Sequence, residues 1–171
     1  MIVRYNMALA RRKFRLARTA CYFAVVGLLV CPAAPLHALV GERVVSDRHT
    51  GLAIFGFDPV AYFVDAKPLA GRAEYELELP DAVWRFRNEG NRAAFAANPE
   101  IYRPRYGGYD PISIARGVAV AGNPTLWLVV GERLYLFYTR QARDAFGADP
   151  DTAIAAADER WPQVRAGLAA E

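Results

Sequence analysis

The fold of this chain follows from residues 75–100, YELELPDAVWRFRNEGNRAAFAANPE, because the chain contains a second version of them. Shifted forward by 51 residues, the segment aligns without a gap on residues 126–151, LWLVVGERLYLFYTRQARDAFGADPD. Seven of the 26 aligned pairs are identical, whereas about two would be expected by chance in so alanine-rich a chain. The alignment therefore indicates an internal repeat.

The first version has the residue pattern of a β-hairpin followed by a helix. Apolar residues alternate with glutamates over residues 73–79, which predicts a strand with one buried and one solvated face. Residues 80–82 form a turn, and residues 83–87, VWRFR, return as the second strand. Asn88 is a good helix cap, and Pro99 closes the helix that follows.

The second version has the same order and is more apolar. Residues 126–130 and 134–138 predict a hairpin across Gly131 and Glu132, and Thr139 predicts the start of a helix. The LWLVV strand lacks the glutamate alternation and so predicts a central strand that is covered on both faces.

These patterns predict an α+β fold. Two strand-strand-helix (ββα) units, residues 75–100 and 126–151, are expected to pack in one small domain with a C-terminal helix, which Pro162 would break. Residues 51–57 predict a short edge strand or an extended segment, and residues 101–123 are the least regular part of the chain.

The first 38 residues have the composition of a secretory signal peptide. Six basic residues and no acidic ones precede an apolar run at residues 19–30, and residues 31–38 are rich in proline and alanine. We predict cleavage after Ala38, a flexible lead-in over residues 39–50 and a domain over residues 51–171. An uncleaved anchor helix is the alternative, but the apolar run has about 12 residues and a bilayer span needs about 20.

The export route stays open between the Sec and twin-arginine pathways. Arg11 and Arg12 resemble the core of a twin-arginine signal, but Arg15 stands where that pattern has an apolar residue. The predicted location is periplasmic or secreted, with no stable membrane anchor after cleavage.

Removal of the leader changes both the charge and the metal-binding capacity of the chain. The whole chain has 21 basic and 18 acidic residues, and the leader contains six of the basic ones, which leaves 15 basic against 18 acidic residues. The basicity of the precursor therefore gives no reason to expect a nucleic-acid partner. Cys21 and Cys31 also leave with the leader, so the mature chain has no thiol and a single histidine, His49. We predict no cofactor and no metal site.

Residues 106–110, YGGYD, are the first candidate for a binding site. Gly107 and Gly108 allow positive φ and the close approach of another group, while Tyr106, Tyr109 and Asp110 offer aromatic faces, hydroxyls and a carboxylate. This combination predicts one wall of a ligand pocket. The alternative is a tight loop whose tyrosines anchor it to the core.

Asp58 and Tyr62 are the second candidate. Asp58 precedes Pro59, where a carboxylate can cap a short helix, so its alternative role is structural. If Asp58 and Asp110 converged, they could hold a hard cation through oxygen ligands or serve an enzyme. The two serines of the mature chain lie in no nucleophile pattern, so the residues favour a protein that is not an enzyme.

Four motifs occur in order along the chain: GFDPVAYF at residues 56–63, the hairpin and helix of residues 74–102, YGGYD at 106–110 and DERWP at 158–162. Together they resemble the exported bacterial YHS domain proteins over most of residues 51–162. The resemblance implies a small α+β domain related to the treble-clef-like metal-binding modules of copper-transport and metal-sensing proteins.

The chain departs from this family at its metal ligands. The cysteines of the metal-binding relatives fall on Ala61, Arg87 and Asn91, and the cysteine that many exported relatives have after Gly-Gly-Tyr falls on Asp110. The resemblance therefore implies the scaffold of the family without its thiolate metal site.

The function expected from the sequence is that of an exported, non-catalytic YHS-like binding module. Its ligand would be an unidentified small molecule or a periplasmic partner protein, held by the loops around Asp58, Tyr62 and residues 106–110. Two alternatives remain, namely a hard-metal or enzymatic protein that uses Asp58 and Asp110 in one pocket, and a purely structural role for these residues.

Overall fold

The alternating and aromatic residues of the two segments produce two β-hairpins, each followed by a helix. The structure is a computed structural model, and it describes residues 43–168. In chain order the helices and strands are α1 (Ala61–Val64), β1 (Arg72–Leu79), β2 (Ala82–Phe86), α2 (Glu89–Ala97), α3 (Pro99–Tyr102), α4 (Pro111–Ile114), β3 (Asn123–Val130), β4 (Arg133–Phe137), α5 (Arg140–Ala148) and α6 (Pro150–Leu168). The predicted signal peptide and its cleavage after Ala38 lie outside the described residues.

Both hairpins and both helix caps form as predicted. Strands β1 and β2 pair antiparallel, as do β3 and β4, and the described residues contain these two separate sheets. Asn88 caps α2 by accepting a hydrogen bond from Asn91 N at 2.8 Å, and Thr139 caps α5 by accepting one from Ala142 N at 3.1 Å. The α+β fold with two ββα units and a C-terminal helix is confirmed.

The geometric match between the two units begins before the hairpins. The segments Ile54–Gly56 and Arg105–Gly108 each form a 3-10 turn that contains residues with positive φ. An aromatic residue, an Asp-Pro pair and a short helix follow each turn. Before the turns, Leu52 bridges in parallel to β2 and Pro104 bridges in parallel to β4.

One prediction about these segments is therefore corrected. Residues 51–57 do not form a continuous edge strand: Leu52, Ala53 and Phe57 make isolated β-bridges, but positive φ at residues 54–56 bends the chain between them into a turn. Residues 101–123 are irregular, as predicted, and they contain the turn and the short helix that precede the second hairpin.

The apolar strand β3 is not central, which corrects a second prediction. Among the described residues it pairs with β4 alone. Its side chains instead alternate between two core clusters: Trp127 and Val129 pack on the first, and Leu126, Leu128 and Val130 pack on the second. This division explains why both faces of the strand are apolar.

The first core cluster is built from both units. Trp84, Phe86 and Phe95 of the first unit pack with Leu134 and Leu136 of the second. The second cluster combines the second unit with α4 and α6. Its buried members are Tyr106, Ile114, Tyr135, Phe137, Phe146 and Ala157.

The described part of the predicted flexible lead-in packs on the domain. Val44 and Val45 are buried, and Val45 N donates a hydrogen bond to Gly107 O at 2.8 Å. Ile54 N in turn donates to Val45 O at 2.7 Å. Apolar burial and backbone pairing thus fix residues 43–46, which the polar composition of the segment did not indicate.

The C-terminal helix α6 continues through Pro162, where the sequence predicts a break. Proline removes one backbone N–H from the helix, but Trp161 and Val164 on either side pack against the second core cluster and hold the helix in place. Neither α6 nor any other helix within residues 43–168 is long and apolar enough to cross a membrane.

Candidate functional site

Asp58 lies in the first unit and is fully buried. Its Oδ1 accepts hydrogen bonds from Val60 N at 2.8 Å and from Ala61 N at 3.3 Å. Its Oδ2 accepts from Arg87 N at 2.8 Å and from Asn91 Nδ2 at 2.7 Å. One carboxylate therefore joins the start of α1, the end of β2 and the first turn of α2.

Asp110 has the corresponding place in the second unit and is 1% exposed. Its Oδ1 accepts a hydrogen bond from Ile112 N at 2.8 Å, and its Oδ2 accepts one from Tyr138 N at 3.1 Å. The residue that matches Asn91 is Ala142, which has no side-chain donor. The two aspartates share no hydrogen-bond partner, and each is held within its own unit.

Tyr62 connects the two units. Its hydroxyl donates a hydrogen bond to Pro124 O at 2.9 Å, and its ring packs edge-on against Trp127 with 5.3 Å between the ring centroids. Burial, and then the charge of Asp58, raise the pKa of the Tyr62 phenol. The phenol therefore stays protonated at neutral pH and acts as a donor within the core.

Tyr106 and the two glycines after it form the 3-10 turn of the second unit. The Tyr106 hydroxyl donates to Asp158 Oδ1 at 2.9 Å, and burial followed by this hydrogen bond raises the pKa of the phenol. A Cβ at Gly107 would clash with the carbonyl of Arg43, and Gly107 has φ +62°, so this position requires glycine. Tyr106, Gly107 and Gly108 are all buried.

Tyr109 is the predicted site residue that lies beside the larger of two surface cavities. Its ring packs against Trp161 with 6.2 Å between centroids. The cavity, named here the lead-in cleft, has a volume of about 1000 Å³. Its lining residues include Arg43, Arg48, His49 and Phe55.

Within the part of the chain that the structure describes, two arginines of the lead-in cleft form no ion pair, whereas both of its acidic side chains accept hydrogen bonds. Asp81 binds Arg103 through two hydrogen bonds of 2.6 and 3.2 Å. The carboxylate of Asp47 accepts hydrogen bonds from the residues that follow it, which lowers its pKa. Within residues 43–168, Arg43 and Arg48 form no ion pair. The charges of Arg43 and Arg48 exceed the one charge of Asp47, and Asp81 is balanced by Arg103, so the net positive charge of the cleft favours an anionic ligand.

Asp110 lies at a second, smaller cavity of about 360 Å³, named here the Asp110 cavity. Its polar lining side chains besides Asp110 belong to Ser113, Arg116, Tyr138, Thr139 and Gln141. The sequence flagged Asp110 but not the residues around it. A comparison of the two units position by position, and of Asn91 with Ala142 in particular, is the signal that could have found them.

The described residues offer little for a metal ion. No group of three or more histidine, cysteine, aspartate or glutamate side chains within residues 43–168 is arranged to hold one. The backbone N–H of Arg87 and the side-chain amide of Asn91 donate hydrogen bonds to Asp58. A carboxylate that accepts four hydrogen bonds has its lone pairs already engaged. Neither of the two cavities is lined by both Asp58 and Asp110.

The predicted site residues thus fall into two groups. The first group is buried and structural: Asp58 ties together parts of the first unit, Tyr62 connects the two units, and Tyr106, Gly107 and Gly108 form the turn of the second unit. The second group, Tyr109 and Asp110, lines the two cavities. Comparison of the chain with protein-family models, with curated proteins and with solved structures finds no match.

Proposed function

We propose that this chain is the precursor of an exported, non-catalytic binding module with a YHS-like scaffold and without the thiolate metal site of that family. The four motifs that resemble the family support the scaffold, and the absence of a thiol at Ala61, Arg87 and Asn91, where the resemblance would place cysteines, supports the loss of the metal site. The hydroxyls of Tyr62 and Tyr106 both donate hydrogen bonds within the fold, to Pro124 O and to Asp158 Oδ1, which supports a structural role for these two residues.

The lead-in cleft is the observation that carries this proposal. It combines an open volume of about 1000 Å³ with two unpaired arginines and the exposed aromatic ring of Phe55. Volumes of about 300–1000 Å³ are usual for ligand pockets. The ligand that fits this lining is a small organic anion, in which carboxylates meet the arginines and an apolar part contacts Phe55.

Calorimetric titration of the mature chain, residues 39–171, with succinate, citrate and benzoate tests the proposal. We expect binding of at least one acid, weakened about tenfold or more by Arg43→Ala combined with Arg48→Ala and by added salt. Arg165→Ala, which removes an exposed arginine outside the cleft, is the matched control and should leave the affinity unchanged. Absence of binding to all three acids, or binding that survives the double substitution, contradicts the proposal.

The loss of the metal site is tested separately. Elemental analysis and titration of the mature chain with copper, zinc and calcium should show no bound metal. Copper binding tighter than about 1 µM would contradict this part of the proposal.

Export is tested by mass spectrometry of the protein recovered from outside the cytoplasm. The proposal expects an N-terminus at Leu39. A mature form that retains residues 1–38 would contradict it.

A further inference from the structure

We propose that the Asp110 cavity binds a primary carboxamide group. The inference does not depend on the lead-in cleft, because it concerns a different cavity and different residues. It rests on a difference between the two ββα units at otherwise matched positions.

In the first unit, the carboxylate of Asp58, which corresponds to Asp110, binds a carboxamide. Asn91 Nδ2 donates to Asp58 Oδ2 at 2.7 Å, so a carboxamide from within the chain occupies that position. In the second unit the matched residue is Ala142, and the space beside Asp110 is a cavity of about 360 Å³. A carboxamide from a ligand would therefore take the place that the Asn91 side chain has in the first unit.

The number of hydrogen bonds that each carboxylate accepts also supports an N–H donor at Asp110. Asp58 accepts four hydrogen bonds, and within the described residues Asp110 accepts two, from Ile112 N and Tyr138 N. An ionised carboxylate offers about four acceptor positions. Asp110 lines the cavity and therefore has acceptor capacity left for an N–H donor from a ligand.

The lining of the Asp110 cavity is more polar than the matched surface of the first unit. At three matched positions, residues without a polar side chain are replaced by residues with one. The pairs are Ala61 and Ser113, Val64 and Arg116, and Gly90 and Gln141. These changes place hydrogen-bonding groups around the cavity where the first unit has none.

The charges of the lining favour a neutral ligand over a cationic amine. Asp110 supplies one negative charge and Arg116 one positive charge to the same cavity. A primary carboxamide is neutral, donates N–H groups to Asp110 and accepts through its carbonyl oxygen from Arg116 or Gln141. The cavity is at the small end of the range for ligand pockets, which suits a compact amide.

Nuclear magnetic resonance titration of the ¹⁵N-labelled mature chain tests the proposal. The amide signals of Ile112 and Tyr138 are the reporters, since both groups donate to Asp110. Acetamide should shift both signals in a saturable way. N,N-dimethylacetamide, which has the same carbonyl but no N–H donor, and methylammonium should give no saturable shift at equal concentration.

Two substitutions and one control variant test whether such shifts arise where a carboxamide would meet the aspartate of each unit. Ala142→Asn supplies the carboxamide from within the chain, so the affinity for acetamide, measured from the saturation of these shifts, should fall at least tenfold. Ala148→Asn, on the same helix and outside the cavity, should leave them unchanged. Asn91→Ala opens the matched space in the first unit and should create acetamide-dependent shifts at the amides of Val60 and Arg87.

Three results would overturn the proposal. The first is equal shifts with acetamide and N,N-dimethylacetamide. The second is saturable binding of methylammonium without binding of acetamide, which would make the cavity a cation site. The third is undiminished acetamide binding in a folded Ala142→Asn protein.

Discussion

The carboxylate of Asp58 holds three parts of the first unit together. It caps α1 through Val60 and Ala61 and accepts hydrogen bonds from Arg87 and Asn91 across the unit. A sequence can indicate the cap, because an aspartate before a proline is a recognisable helix start. It cannot indicate the other two donors, which lie 29 and 33 residues away.

Replacement of Asp58 by asparagine should lower the free energy of unfolding by about 2–4 kcal/mol, because an amide turns a donor toward groups that are themselves donors. Asp110→Asn should cost less, about 1–2 kcal/mol, because Asp110 accepts two hydrogen bonds instead of four. Urea unfolding measures both values. Glu159→Gln, an exposed change on α6, is the control, and equal losses for the two aspartates would contradict this account.

Tyr62 should make the stability of the domain depend on pH in the alkaline range. Burial raises its pKa in the folded state, whereas the unfolded chain has the ordinary value of about 10. The unfolded state therefore releases the proton first, and stability falls as pH rises above about 10. Tyr62→Phe should reduce the slope of unfolding free energy against pH between about pH 9 and 11.5.

Near neutral pH, Tyr62→Phe should have only a small effect on the free energy of unfolding. Loss of the hydrogen bond to Pro124 O should cost about 1 kcal/mol there. Tyr138→Phe, at a tyrosine that is 60% exposed, should keep the pH profile of the original chain. An alkaline slope that is unchanged in Tyr62→Phe would show that other groups determine it.

Each hairpin contains a bulge at the same position, and a glycine precedes each bulge. The register shifts between Arg72 and Glu76 in β1 and between Asn123 and Trp127 in β3. These glycines, Gly71 and Gly122, lie very close to the partner strand. A Cβ at Gly71 would lie 2.6 Å from the backbone of Arg85, and a Cβ at Gly122 would lie 2.6 Å from Leu136 Cβ. Gly71 N donates to Gly56 O at 2.9 Å and Gly122 N donates to Gly108 O at 3.0 Å, so the residue before each bulge pairs with the turn of its own unit.

Gly71→Ala and Gly122→Ala should each lower the free energy of unfolding by about 2–3 kcal/mol, because the added methyl group has no space. Gly167→Ala is a control with the opposite sign. Gly167 lies in α6 with no atom within 4 Å of its missing Cβ, so alanine should stabilise the helix by up to about 1 kcal/mol. Urea unfolding of the three variants checks the signs, and a neutral Gly71→Ala would show that the hairpin can shift its register.

Periodicity predicted the hairpins and the long helices because their side chains alternate or recur with the period of the element. The turns before Asp58 and Asp110 escaped prediction for a physical reason. Their backbone is set by positive φ at Ile54, Phe55 and Tyr106, residue types that rarely adopt it. The offset between the units is also 52 residues at the aspartates and 51 in the hairpins, so a gap-free alignment misses the earlier match.

The candidate site was less predictable than the fold, because the Asp110 cavity lies where a small residue, Ala142, stands at the position that a larger residue has in the first unit. Ala142 has no functional group and gives no signal by itself. It gains meaning only when the structure shows that Asn91 fills the matched position in the first unit. The LWLVV strand was misplaced for a similar reason. Its apolar faces predicted a central strand, but the sequence could not show that each face packs on a different core cluster.

The two units should unfold together, because the first core cluster contains Leu134 and Leu136 of the second unit and Tyr62 binds Pro124 across the units. We expect the folded amide signals of Val83 in β2 and Leu134 in β4 to disappear at the same urea concentration. Phe146→Leu, in the second cluster, should lower both midpoints equally through a loss of about 1 kcal/mol. Val64→Ala, at an exposed residue, should shift neither. If Phe146→Leu moved the Leu134 midpoint alone, the first unit would be able to stay folded without its partner, and the shared core would not couple them.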